Sequence, residues 1–282
     1  MMAKKDTQGE PLESEKITAE IMARAGKSAV LDAIVVALAD VEVRRKCLET
    51  FRKADDSGDF YHVHATEFIE GGGNEIRMVL RAVASVIKPN VYIEVGTRFG
   101  WSAAQVWAEM SSDTPLLMSV DMWQEGYAGL ETKGSDYAMR QIVKMGGKKS
   151  ARPMMIDADS HDVLPGIGRA YKADLVTIDA DHRASGTWFD LVDMLPSVRV
   201  GGVLVTDDLF PTAHEGQLGL APAVDKFGRP PYPIKEYSLL HLWRALPALY
   251  PDFIFYDEIK DDTDLSAWPF GVAPVGIAVR VK

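Results

Sequence analysis

From residue 89 onward the chain alternates short apolar runs, at 91–95, 116–120, 154–156, 175–179 and 203–206, with stretches of helical spacing. Strands interleaved with helices at this rhythm close as βαβ units, which calls for a mostly parallel sheet covered by helices on both faces. A helical stretch from about 237 to 249 follows, and then two more strand-like runs at 253–258 and 275–281. The fold class this predicts is α/β, a Rossmann-like doubly wound sheet.

The segment before residue 89 has a different texture. Residues 17–53 and 74–88 place apolar residues at helical spacing, as in Ile76, Val79, Leu80, Val83 and Ile87, with a glycine-rich loop at 70–74 between them. The first 16 residues are polar and read as a disordered tail. The expected division is a tail at 1–16, a helical cap at 17–88 and a catalytic domain at 89–282. Within the last, residues 209–236 hold three glycines and five prolines, a loop of the length that is usually functional or mobile.

A chain of 282 residues with 47% hydrophobic content can bury a full core. No run approaches the roughly 20 apolar residues that cross a bilayer, and the start lacks a signal-peptide core. The lone cysteine, Cys47, excludes an internal disulfide and a thiolate metal cluster, so a reducing, cytoplasmic setting is the simplest expectation. The net charge of -10 argues against nucleic acid as a partner. The one dense basic cluster, Lys144, Lys148, Lys149 and Arg152, reads as a solvated helix end. The partner expected is a small molecule, with the apolar N-terminal helices a surface on which a homo-oligomer could form.

The first strand runs into a glycine loop, Glu94-Val-Gly96-Thr97-Arg-Phe-Gly100-Trp-Ser102, that opens a helix. Glycines let backbone approach a ligand, and a helix N-terminus offers free N–H groups beside a positive dipole end. The spacing E-x-G-x-x-x-G differs from the G-x-G-x-x-G of dinucleotide sites, which disfavours an NAD dehydrogenase. An acid at the strand end suits the ammonium and sulfonium of S-adenosylmethionine better. The plainer alternative is a tight turn with no ligand. Asp121, beside Met122, ends the second strand where doubly wound folds set a carboxylate on ribose hydroxyls; its alternative is a helix cap. Asp159 and Ser160 end the third strand, where an adenine edge would be met.

Asp179, Asp181 and His182 end the fourth strand, and Asp207 and Asp208 the fifth. In a parallel sheet these ends are neighbours on one rim. Hard oxygen ligands without cysteine favour Mg²⁺ over zinc, although strand-end aspartates also cap helices. His182 has the ordinary titration range of a base that takes a proton from a hydroxyl, and ligand or structural roles stay open for it. His62 and His64 alternate as on one strand face and are read as packing or substrate-pocket residues. Trp101, Trp123, Trp188 and Tyr232 are candidate pocket aromatics or core.

Together the segments 93–100, 120–123, 178–182 and 201–208 resemble the class I S-adenosylmethionine-dependent methyltransferases. The branch they are most similar to is the metal-dependent small-molecule O-methyltransferases of macrocin and catechol or caffeoyl-CoA type. The resemblance implies a seven-stranded sheet ending in an antiparallel hairpin. It implies that Glu94, Gly96, Thr97, Gly100 and Ser102 shape the methionine pocket and that Asp121 and Met122 meet the ribose side. Asp159 and Ser160 would lie at the adenine, and Asp179, Asp207 and Asp208 would hold a divalent metal, with Asp179 bordering the cofactor. His182 falls where catechol-type enzymes place a lysine base, and Asp208 replaces their usual asparagine, which points to the macrocin-like branch. The expected function is metal-assisted O-methylation of a small-molecule hydroxyl, catalysed with His182 and Asp179. The alternative is a non-methylating protein of the same fold that binds the cofactor or a small molecule.

Overall fold

The computed structural model describes residues 28–55, 60–110, 114–123, 133–181, 183–209, 239–257 and 274–282. The tail at 1–16, His182, Tyr232 and the 209–236 segment beyond Leu209 lie outside these residues.

Four helices come first: α1 (Ala29–Ala39), α2 (Val41–Phe51), α3 (Phe60–Glu70) and α4 (Ile76–Ile87). Side-chain oxygens start three of them. Ser28, Asp40 and Glu75 accept from the backbone N–H of Leu31, Glu42 and Arg77, satisfying donors that a helix start leaves orphaned. The histidine pair at 62 and 64 therefore sits on a helix and not on a strand. The alternation of two residues was too short to outweigh the helical series His62, Ala65 and Ile69, all of which are buried.

Arg81 of α4 fastens this layer from within. Its guanidinium donates to the carbonyls of Gln105 (3.1 Å) and Lys46 (2.9 Å) and to Thr50 Oγ1 (2.7 Å), and pairs with Glu109 at 3.5 Å. Burial lowers its pKa despite that partner; the two terminal nitrogens find acceptors while the buried Nε has none.

Strands and helices then alternate: β1 (Val91–Val95), α5 (Trp101–Glu109), β2 (Leu116–Asp121), α6 (Ser135–Gly146), β3 (Met154–Asp157), α7 (Ser160–Ala170), β4 (Ala173–Ile178), α8 (Ala184–Met194) and β5 (Val198–Thr206). Helix α9 (Leu239–Leu249) leads to β6 (Phe253–Asp257), and β7 (Gly276–Arg280) closes the chain. The seven strands form one sheet in the order β3-β2-β1-β4-β5-β7-β6. The first five are mutually parallel, and β7 inserts antiparallel between β5 and β6. The α/β doubly wound sheet and its C-terminal hairpin are thus as expected.

One apolar cluster packs α1, α4, α5 and α6 on one face of the sheet, and a second packs α7, α8 and α9 on the other. A third joins Cys47, Phe51 and Ile69 of the N-terminal helices to Phe99, Trp101 and Met145. This last contact brings the N-terminal layer up to the glycine loop.

Candidate active site

Strand order reverses between β1 and β4, which lie side by side in the centre of the sheet. In open parallel sheets the crevice outside the carboxyl ends at such a switch is where ligands bind. Ladder hydrogen bonds run one residue beyond the strands there: Gly96 N to Val120 O (2.8 Å), Asp179 N to Val95 O (2.8 Å) and Asp207 N to Ile178 O (3.1 Å). Glu94, Gly96, Asp121, Asp179 and Asp207 therefore stand along a single edge, although more than 110 residues separate the first from the last.

The loop glycines do not face open space. A Cβ on Gly96, whose φ is +89°, would lie 1.9 Å from the carbonyl oxygen of Asp179. One on Gly100 (φ +77°) would meet the Ala138 carbonyl at 2.7 Å, so both serve close packing of the loop onto β4 and α6.

Glu94 is completely buried beneath this loop. The Tyr92 hydroxyl donates to its Oε1 at 3.0 Å and lies 3.0 Å from Thr177 Oγ1. Oε2 is buried without a partner. Burial pushes the carboxyl up to about 7; the hydroxyls of Thr97, Ser102 and Tyr92 act in the opposite sense, and Asp121 adds a smaller upward push. Tyr92 itself gave no sign of function in the sequence, apart from lying two residues before Glu94 on the same strand face.

Asp121 is the organiser of the rim. Its Oδ2 accepts from the backbone N–H of Thr97 (2.9 Å) and Arg98 (2.7 Å), and its Oδ1 from that of Trp123 (3.0 Å). It thus caps backbone at the carboxyl end of β2. Met122, next to it, is partly exposed. Asp159 caps α7 through His161 N (3.0 Å) and also faces His161 Nδ1 at 3.1 Å; Ser160, the first helical residue, is buried.

The acids beyond β4 and β5 press on one another. Burial pushes Asp207 well above the usual carboxylate range; Asp179 and Asp208 add to this, and Glu75 adds less. Its Oδ1 is buried with no hydrogen-bond partner. Asp208 holds a left-handed backbone with φ 62°. Among the described residues, no group of three or more His, Cys, Asp or Glu side chains is arranged so as to hold a metal ion.

Glu75 was not legible as a site residue. It caps α4, pairs with Arg77 at 2.8 Å and reaches the rim from the N-terminal layer. Arg77 in turn lies over the rings of Phe51 (5.1 Å) and Trp101 (5.8 Å). His62 stacks on Phe51 with centroids 3.8 Å apart, as packing would require. Trp101 is buried in the same cluster, Trp123 is buried at the rim, and Trp188 packs on the second core. A second buried acid carries no signal in the sequence: Asp190 of α8 is held up to about 7 by burial, with His161 Nε2 3.9 Å away.

A family model described as a methyltransferase domain matches residues 93–209, the span from β1 to just past β5. That span, less than half of the chain, is thus similar to a methyltransferase domain. Among curated proteins none matches this chain in sequence. Several solved structures are similar to it. The O-methyltransferase TomG of Streptomyces achromogenes, involved in tomaymycin synthesis and solved with S-adenosylmethionine, is 14% identical, with 96% of this chain and 100% of that one covered and a TM-score of 0.48. An O-methyltransferase from Bacillus cereus solved with S-adenosylhomocysteine is 16% identical over 98% of this chain and 93% of that one, at a TM-score of 0.46. MycE of the mycinamycin biosynthetic pathway, solved with Mg and S-adenosylhomocysteine, is 14% identical over 67% of this chain and 44% of that one, at 0.40.

No helix among the described residues is long and apolar enough to cross a membrane.

Proposed function

We propose that this methyltransferase moves the methyl group of S-adenosylmethionine onto a hydroxyl oxygen of a small molecule, with a divalent cation at the rim. The observation that carries the reading is the buried carboxyl of Asp207, with Oδ1 lacking a hydrogen-bond partner, beside Asp179 and Asp208 and a strand away from the glycine loop. A buried carboxyl keeps its proton until something positive faces it, and a divalent cation at this rim would supply that charge.

The cofactor would lie across the carboxyl ends of β1 and β4. Glu94 offers a buried carboxyl with one unpartnered oxygen, whose ionised form suits a cationic ligand; being shut off from solvent, it would act through its field and through Thr97 and Ser102. Gly96, Gly100 and the first turn of α5 shape the methionine end. Asp121 already accepts three N–H groups, and a carboxylate has about four acceptor sites; one ribose hydroxyl can therefore still be taken. Met122, Asp159 and Ser160 continue the edge toward the base.

Asp179, Asp207 and Asp208 supply hard oxygen donors of the kind Mg²⁺ takes. They are near enough to repel but not set as a formed ligand group, so the donor set fits an ion better than the arrangement does. A bound divalent cation would neutralise this charge and make an acceptor hydroxyl ionise more readily. His182, outside the described residues, follows Asp181 directly and would take the hydroxyl proton as the oxygen attacks the sulfonium methyl in line. Holding both reactants in that line is worth roughly 7–11 kcal/mol. The N-terminal layer, through Glu75, Arg77 and Trp101, would border the acceptor side.

The test is incubation with methyl-labelled S-adenosylmethionine and a panel of phenolic and sugar hydroxyl acceptors, with Mg²⁺ or with chelator. Labelled ether product that disappears in chelator and in His182→Ala supports the whole reading. Product made equally in chelator removes the cation. Cofactor binding without product from any acceptor favours the non-methylating alternative.

A further inference from the structure

Among the described non-glycine residues, only Lys88, Arg98, Trp123 and Asp208 hold a left-handed backbone. Two of them, Arg98 (φ 44°) and Trp123 (φ 41°), belong to loops after different strands and are tied to the same carboxylate. A side chain with a Cβ adopts this conformation at a cost, and it persists where surrounding contacts over-determine it. Here they do. Asp121 Oδ2 takes the Arg98 N–H at 2.7 Å and Oδ1 takes the Trp123 N–H at 3.0 Å. The ring is closed by the indole: Trp123 Nε1 donates to the Arg98 carbonyl oxygen at 2.9 Å. Trp123 is only 8% exposed, so its ring is committed to this latch and presents little face to a ligand.

We infer that Trp123 is a positioning residue for the cofactor, latching the crest of the glycine loop at Arg98 so that Asp121 meets the ligand already oriented. The inference rests on S-adenosylmethionine occupying the crevice at β1 and β4. Without the indole the Arg98 carbonyl loses that hydrogen bond, and the strained loop relaxes away from the shape the ligand needs. Ordering it again on binding lowers affinity, the converse of preorganisation. A merely structural indole bond would cost stability alone.

The molecule contains its own control. Trp107, fully buried in α5, donates its indole N–H to the Gly147 carbonyl at 2.8 Å, away from the rim. Calorimetric titration of the full chain with S-adenosylhomocysteine should show Trp123→Phe binding about five- to twentyfold more weakly, the scale of one lost hydrogen bond with its partner left unpaired. Trp107→Phe should lose thermal stability and keep affinity within about twofold. Equal affinity in Trp123→Phe and wild type, or an equal loss in both variants, overturns the latch. Wild type failing to bind S-adenosylhomocysteine would instead remove the cofactor reading beneath it. Should Trp123→Phe not fold, amide exchange on wild type decides: the peptide 96–102 is expected to be protected before any ligand is added, and unprotected exchange there overturns the inference.

Discussion

The Tyr92 hydroxyl donates to Glu94 Oε1 at 3.0 Å in a place that solvent does not reach, since both residues are fully buried. The acid is held near about 7, against its ordinary 4.5, chiefly by burial. In that window the native state keeps a proton that the unfolded chain has released. The stability contributed by this group is therefore complete below 4.5 and is lost as pH rises through about 7. Affinity for a cationic ligand runs the other way, because the ligand needs the ionised form. Calorimetry across about pH 5 to 7 should show S-adenosylmethionine binding tighten with pH in wild type. Glu94→Gln should bind more weakly with that pH dependence flattened, and should melt higher than wild type at the upper end. A pH-sensitive Glu94→Gln with wild-type affinity would sever Glu94 from the cofactor.

Asp207 follows the same sign with a different remedy. Its carboxyl is pushed well up, first by burial and then by Asp179 and Asp208. Its ionisation thus costs stability as pH rises above the ordinary carboxylate range. In chelator, Asp207→Asn should melt above wild type at neutral pH, and the gap should close on acidification. Added Mg²⁺ should raise the melting temperature of wild type and leave that of Asp207→Asn unchanged, since binding to the native state alone stabilises it. Equal responses to Mg²⁺ would mean that the rim does not hold the ion.

How much of this could be read in the chain follows from the range over which each signal acts. The strand ends were legible because a parallel sheet puts every carboxyl terminus on one edge, so Glu94, Asp121, Asp179 and Asp207 converge whatever the loops do. Burial is not a local property. Tyr92, Glu75 and Asp190 carry ordinary sequence surroundings, and only the layers packed over them show that they are enclosed. His62 and His64 misled because two residues cannot distinguish a period of 2 from one of 3.6, and the helix was set by its partners Ala65 and Ile69. Likewise the glycines of the loop announced a close approach, but not that the approaching groups would be the backbone of Asp179 and Ala138.

Arg81 offers a test of the N-terminal layer by itself. Its side chain is 5% exposed and joins α2, α4 and α5 through three acceptors and Glu109. Arg81→Met keeps the packing volume but strands those acceptors, at a cost of about 3 kcal/mol. That corresponds to a fall of roughly 10 °C in melting temperature for a chain of this size. S-adenosylhomocysteine affinity of the folded variant should stay within about twofold, since additivity holds for separated sites. A loss of affinity as large as the loss of stability would show the layer and the cofactor crevice to be one cooperative unit.

Gly96 is where fold and site are least separable, and its replacement by alanine has two costs that a second glycine can distinguish. Gly72 also has a left-handed backbone, with φ +98°, but a Cβ there would meet nothing within 4 Å. Gly72→Ala should therefore lose only the conformational term, about 1 kcal/mol. At Gly96 the added carbon would stand 1.9 Å from the Asp179 oxygen and 2.6 Å from the Ala180 nitrogen, both of them backbone atoms that no rotamer change can move. The loop and the end of β4 must part, which breaks the hydrogen bond from Asp179 N to Val95 O and shifts Asp179 away from Asp207. Gly96→Ala is expected to lose several times the stability lost by Gly72→Ala and to bind S-adenosylhomocysteine too weakly to titrate. Two variants of equal stability and undiminished affinity would mean that the crevice lies elsewhere than between the glycine loop and β4.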